Sequence, residues 1–191
     1  GLRISPKTIG LVAVSLILLM LIYITLPVHP LIRLFILDVL SFPLTGIIVV
    51  IVGFPQWIYH TMVIALAIRK LRNQKNLFVI GITGSYGKTS TKEYLATILS
   101  SKFNVLKTEA SKNSPIGIAE VVMKILRPDH DVFIVEMGAY KIGEIARMSE
   151  MVKPQVGIIT AINEQHQDLF GSIENTKRAK YELLAGLTGK R

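Results

Sequence analysis

The chain has 191 residues, half of them hydrophobic, with 22 Lys and Arg against 13 Asp and Glu, and no cysteine. That length allows one domain of ordinary size plus an appendage, and the lack of cysteine excludes a disulfide framework and cysteine-ligated zinc. The net charge of +9 is unevenly spread: residues 1–68 hold only Arg3, Lys7, Arg33 and Asp38, residues 69–75 (RKLRNQK) alone contribute +4, and residues 76–191 carry 15 basic and 12 acidic side chains. The basicity therefore does not describe a globular face, which argues against a nucleic-acid partner.

From the N-terminus, Thr8 to Ile32 contains no formally charged residue, and Ile9–Leu26 is almost wholly apolar. Eighteen or more such residues suffice to cross a hydrocarbon core of about 30 Å as a helix. A cleaved signal peptide would have a shorter apolar region and a small-residue cleavage site, and VHPLIR is not one. A second uncharged run, Val39–Ile68, is interrupted by Pro43 and by Gly53-Phe54-Pro55, with Trp57, Tyr59 and His60 resembling an interfacial belt. Two parses stand. One is a spanning helix over about 44–67, kinked at Pro55. The other is a span over about 31–53 followed by a surface-lying amphipathic helix up to Arg72. Asp38 would be a turn residue between helices or an intramembrane carboxylate. Either parse gives two crossings and puts Arg3 and Lys7 on the same side as the Arg69–Lys75 cluster, the cytoplasmic side by the positive-inside rule. The expected domains are a membrane anchor over 1–68, a basic juxtamembrane linker over 69–76, and a soluble domain over 77–191.

From Leu77 onward, short β-rich runs alternate with helical stretches. LFVIGIT precedes TSTKEYLATILSS, NVLKT precedes PIGIAEVVMKIL, DVFIVEM precedes IGEIARMSEMV, and VGIITAI precedes ENTKRAKYELLAGL. Four strand–helix repeats predict an α/β fold with a parallel sheet flanked by helices.

GITGSYGKTSTK, residues 81–92, lies between the first strand and its helix. That context lets a glycine-rich turn present backbone N–H groups and a helix N-terminus to phosphate oxygens. Lys88 would reach the β- and γ-phosphates and Thr89 would place its hydroxyl on Mg²⁺. The common G-x-x-x-x-G-K-S/T spacing would need glycine at Ile82, so the loop departs from it by one residue. Glu136 ends the buried run DVFIVE at the sheet edge where ligands bind in open α/β folds. Alone it reads equally as a cation ligand or as a solvated strand-end carboxylate. His166 follows the fourth strand at the same edge, and Lys180 lies 14 residues later in a helix. By themselves these two read as a structural histidine and a solvent-facing lysine.

Together these segments resemble the central ATPase domain of the Mur ligases, the ATP-dependent amide ligases of peptidoglycan precursor synthesis. The family form of the loop, T-G-x-x-G-K-S/T, matches Thr83-Gly84-Ser85-Tyr86-Gly87-Lys88-Thr89, with Ser90 following it. The segments EMGA at 136–139 and His166-x-x-x-Phe170-Gly171-Ser172 most resemble the branch that adds D-alanyl-D-alanine to a UDP-muramoyl tripeptide. The resemblance covers residues 77–191, about 60% of the chain. It implies ATP bound by residues 83–90, Mg²⁺ held by Thr89, Glu136 and His166, and Lys180 as a further ligand once carbamylated by CO₂. Lys88, His166 and Lys180 would be the catalytic residues, and Asn113 and Ser114 would lie near the substrate. In the Asn-rich loop only Asn113 keeps its amide, with Ser111 and Ser114 replacing others, and Ala161 stands where the family has Asn. The implied reaction joins a muramyl-peptide carboxylate to an amino acid or dipeptide amine through an acyl phosphate, at the cytoplasmic membrane of a bacterium in contact with membrane lipids. Relatives with another acceptor, such as poly-γ-glutamate synthase-type ligases, and a nucleotide-binding membrane module without ligation are the alternatives. A P-loop GTPase is disfavoured, because no N-K-x-D segment appears. The family's N-terminal UDP-sugar domain and its C-terminal domain have no counterpart here, so the chain reads as a fragment of a larger protein.

Overall fold

The computed structural model describes residues 6–109, 111–163 and 170–188. The chain divides into two compact units, Gly1–Tyr59 and His60–Arg191.

The first unit holds α1 (Pro6–Thr25) and most of α2 (Pro30–Arg72). At 43 residues, α2 is about 65 Å long. It is long and apolar enough to cross a membrane, by length and composition. Neither interrupted parse of 39–68 describes the backbone in full. Pro43 and Pro55 both lie within one continuous helix, and no separate helix begins after Gly53. Each proline deletes one ladder donor. Around Pro43, Ser41 Oγ donates to the Asp38 carbonyl (2.8 Å) and Thr45 Oγ1 to the Ser41 carbonyl (2.7 Å), adding side-chain donors to that turn. Asp38 lies inside α2, so the turn reading of that residue is corrected. The turn is instead at residues 26–29, where Arg33 Nε donates to the Val28 carbonyl at 2.8 Å and the guanidinium lies over the Tyr23 ring.

In the second unit, four parallel strands, β1 (Phe78–Thr83), β2 (Val105–Lys107), β3 (Val132–Glu136) and β4 (Val156–Ile159), form one sheet in the order β2-β3-β1-β4. The register aligns Ile82 with Glu136 and Thr83 with Ile159, bringing the carboxyl ends of β1, β3 and β4 together. β1 and β3 read as nearly unbroken buried runs, as both-face-covered parallel strands do. Their side chains alternate between faces. Ile80, Ile82, Val132 and Ile134 pack with α3 (Lys88–Leu99). Val79, Phe133 and Val135 join the larger core with α4 (Pro115–Lys124), α5 (Glu144–Val152) and α6 (Ile173–Ala185). Gly81 belongs to this packing and not to the phosphate loop: a Cβ there would stand 2.7 Å from Leu183 Cδ1 of α6.

The end of α2 is built into this core. Ala67 and Leu71 are buried in it, and Val63, Ile64 and Ile68 pack against it. Lys70 Nζ donates to the Val122 and Met123 carbonyls at 2.9 and 3.2 Å, a cation on the last turn of α4, where carbonyls lack helical partners. Of the basic stretch expected as a linker, residues 69–72 are the last turn of a helix.

Candidate nucleotide and cation site

The loop between β1 and α3 starts from a fixed base. Thr83 is fully buried, and its hydroxyl donates to the Met137 carbonyl at 3.0 Å. Its own carbonyl accepts from the Thr160 N–H at 2.9 Å. The Thr83 side chain thus ties β1 to its neighbours and is not presented to a ligand. Gly84 (φ 149°) and Gly87 (φ 76°) hold conformations that suit glycine. Gly87 opens α3 without a side-chain cap, and among the described residues no carboxylate or hydroxyl hydrogen-bonds the first-turn N–H groups, as an anion-binding helix start requires.

Residues 160–163 clamp this loop. Thr160 Oγ1 donates to the Tyr86 carbonyl at 2.5 Å, Ser85 N–H donates to the Ala161 carbonyl at 2.8 Å, and Asn163 N–H donates to Ser85 Oγ at 3.1 Å. Ala161 acts through its backbone carbonyl, which any residue can provide. Tyr86 and Ser90 are exposed.

Lys88 folds back on the loop, with Nζ donating to the Gly84 carbonyl at 2.8 Å and the Ser85 carbonyl at 3.3 Å. Gly84, Ser85, Lys88, Asn113, Tyr140 and Lys180 line one cleft. Asn113 is set there by its backbone, whose carbonyl accepts from Gly138 N–H at 2.8 Å. Ser114 is otherwise engaged: it is the N-cap of α4, its hydroxyl accepting from Gly117 N–H at 3.3 Å.

Glu136 and Thr89, both expected at the cation, touch: Thr89 Oγ1 donates to Glu136 Oε2 at 3.0 Å. Thr108 Oγ1 accepts from Glu136 N–H at 3.0 Å and fixes the end of β3. A hydroxyl and a carboxylate beside a phosphate cradle are oxygen donors of the kind Mg²⁺ takes, with phosphate and water completing its shell. These residues therefore fit the ion as partners of a nucleotide. Among the described residues there is no cluster of three His, Asp or Glu that would hold a metal alone. His166, the remaining expected ligand, lies outside the described residues.

Lys180 is 4% exposed on α6, with Nζ 5.8 Å from the Phe170 ring centre. Burial, and then the neighbouring Lys88 cation, push its pKa down to about 8, against a smaller opposing pull from Glu144. Helix α6 is held in place by Glu182, whose carboxylate accepts from Gly143 N–H at 2.6 Å and Ala146 N–H at 2.9 Å, supplying the cap that the start of α5 lacks.

Sequence reasoning missed Lys92. It is fully buried, and its Nζ lies 3.1 Å from Glu136 Oε2. In sequence it is one more lysine in an apparently polar helix face. The available signal was its spacing, one turn after Lys88 on the helix that leaves the loop.

Comparisons with known proteins agree with this geometry. The UDP-N-acetylmuramoyl-tripeptide–D-alanyl-D-alanine ligase of Synechocystis is 44% identical over 114 residues, which are 60% of this chain and 25% of that protein. The Escherichia coli enzyme of the same name is 36% identical over 117 residues, 61% of this chain and 26% of that one. Among solved structures, MurF from Acinetobacter baumannii superposes with a TM-score of 0.64 at 34% identity, covering 67% of this chain and 28% of its own. The MurF ligase of Thermotoga maritima in complex with ADP gives 0.64 at 29% identity, covering 68% and 30%. The chain thus spans about a quarter of the length of these curated relatives. Residues 82–191 match the model of the Mur ligase middle domain, and the chain belongs to that family.

Proposed function

We propose that this chain is the nucleotide-binding part of an ATP-dependent carboxylate–amine ligase of peptidoglycan precursor synthesis. The observation that carries the reading is the convergence of an uncapped, glycine-rich helix start, Lys88, Asn113 and Lys180 on one cleft, with the Thr89–Glu136 contact beside the same loop. The relatives' names give the substrates proposed here: a UDP-muramoyl tripeptide as carboxylate and D-alanyl-D-alanine as amine.

In the first step an acceptor carboxylate oxygen bonds to the γ-phosphorus of ATP, the bridging bond to the β-phosphate breaks, and ADP leaves. In the second, the amine nitrogen bonds to the acyl carbon, inorganic phosphate departs with the former carboxylate oxygen, and the nitrogen loses a proton. The chain's part is positioning and charge neutralisation. Lys88 exchanges the Gly84 and Ser85 carbonyls for phosphate oxygens, and the first turn of α3 donates its N–H groups. Thr89 and Glu136 hold the cation; Mg²⁺, when bound, supplies neutralisation of phosphate charge. The amine of Lys180 is suited to CO₂ addition: a neutral nitrogen bonds to the carbon and sheds a proton, turning a cation into an anionic oxygen donor for a hard metal.

We also read α1 and the apolar part of α2 as membrane-spanning. Apolar side chains on all sides of these helices stand in the open, with Phe42 90%, Leu31 70% and Met20 64% exposed, far beyond the patches soluble surfaces carry. Arg3, Lys7 and the 69–75 cluster would then mark the cytoplasmic side. The full-length protein should release ADP over many turnovers only when both the muramyl tripeptide and the dipeptide are supplied, with at most about one equivalent formed from the tripeptide alone; sustained ADP release that ignores the amine or the acceptor would refute the assignment.

A further inference from the structure

Lys92 is a buried cation that the proposed chemistry does not use. Its side chain has no exposure, and lysine is almost never fully buried unless paired. It reaches Glu136 Oε2 at 3.1 Å and lies 3.8 Å from Glu93 Oε1, whose own carboxylate is half exposed and engaged by Lys107. Thr89 donates to the same oxygen, Glu136 Oε2. Both donors thus converge on one oxygen, and no hydrogen bond to Oε1 occurs among the described residues. Packing alone does not account for a charge here, since a methionine would fill similar volume without desolvating an ammonium.

The electrostatic consequence concerns metal entry. The carboxylate expected to hold the cation is already neutralised, and Lys88 adds a further cation in the adjoining cleft. Among the described residues a bare divalent ion would meet no net negative charge here, whereas a triphosphate brings an anion with it.

We infer that Lys92 is a positioning residue that fixes Glu136 through Oε2, leaves Oε1 to the cation, and suppresses metal binding until the nucleotide is present. The metal is therefore taken up with the triphosphate and not before it. This rests on the nucleotide reading above, and the test separates the two.

The full-length protein, in detergent micelles, is titrated with Mn²⁺ and the free ion is read by electron paramagnetic resonance. Titrations are run with no nucleotide and with a non-hydrolysable ATP analogue, corrected for metal on free nucleotide. Nucleotide binding itself is followed separately with a fluorescent ADP. The wild type should hold Mn²⁺ about tenfold or more tightly with nucleotide than without. Lys92→Gln and Lys92→Met should gain about tenfold in nucleotide-free Mn²⁺ affinity, Lys92→Arg should match the wild type, and adding Glu136→Gln should abolish the gain. Unchanged nucleotide-free affinity in folded Lys92→Gln would overturn the inference. If neither neutral variant folds, the wild-type pair decides, and equal affinities with and without nucleotide overturn it. Fluorescent ADP that fails to bind the wild type would instead overturn the nucleotide reading, and this inference with it.

Discussion

Lys180 offers a prediction whose size follows from its surroundings. With its pKa near 8, about half of the side chain is neutral at pH 8, whereas a lysine at 10.5 is about 0.3% neutral there, a difference of more than about a hundredfold in reactive amine. Competitive acetylation with acetic anhydride, read peptide by peptide in a mass spectrometer, should give Lys180 a rate–pH profile with its midpoint near 8. The other lysine peptides of the same digest serve as internal standards for reagent dose. Lys88→Met should move the midpoint upward, because it deletes a like charge, yet not fully to 10.5, because burial is the larger cause. The same depression sets a sign for stability. Between pH 8 and 10.5 the folded chain binds fewer protons at this site than the unfolded one, so the site's contribution to stability rises with pH across that window. A midpoint at or above 10 in the wild type would refute the claim that this cleft prepares Lys180 for carbamylation.

Three further outcomes follow from single contacts. Glu182→Ala removes the cap on the α5 N-terminus and should cost about 1–2 kcal/mol, or about 2–4 °C in Tm per kcal/mol, in thermal unfolding. Gly84→Ala places a Cβ 2.1 Å from Thr160 Oγ1, so fluorescent ADP binding should fall by more than tenfold while circular dichroism stays that of the wild type. Leu71→Ala empties part of the core beneath the last turn of α2 and should destabilise the α/β unit by about 2–5 kcal/mol, whereas Arg72→Ala on the exposed side should cost little in the same urea titration.

The strands were legible because parallel strands covered on both faces are written as short β-branched runs: FVIGIT, VLK, VFIVE and VGII all lie within the β-rich runs of the sequence. Their order was not, since placing β3 between β2 and β1 is a long-range pairing that no local pattern encodes. The loop was legible from its glycines and Lys88, but the work of residue 161 was not, because it acts through a carbonyl that any residue carries. Glu136 could be read in sequence as a solvated strand-end carboxylate; it is buried, and its partner Lys92 lies 44 residues earlier, with a burial that depends on where α3 lies on the sheet. Gly81 looked like part of the phosphate loop and is explained by Leu183, about a hundred residues away. In α2, proline and glycine punctuation suggested breaks that the helix absorbs.

Activation of a substrate carboxylate by phosphoryl transfer leaves a trace in the oxygen atoms. With both oxygens of the muramyl-tripeptide carboxylate labelled with ¹⁸O, full-length protein, MgATP and D-alanyl-D-alanine should give one ¹⁸O in each inorganic phosphate released, alongside one new amide. Phosphate carrying no label would show that the carboxylate never attacked the γ-phosphorus, and would contradict the proposed activation.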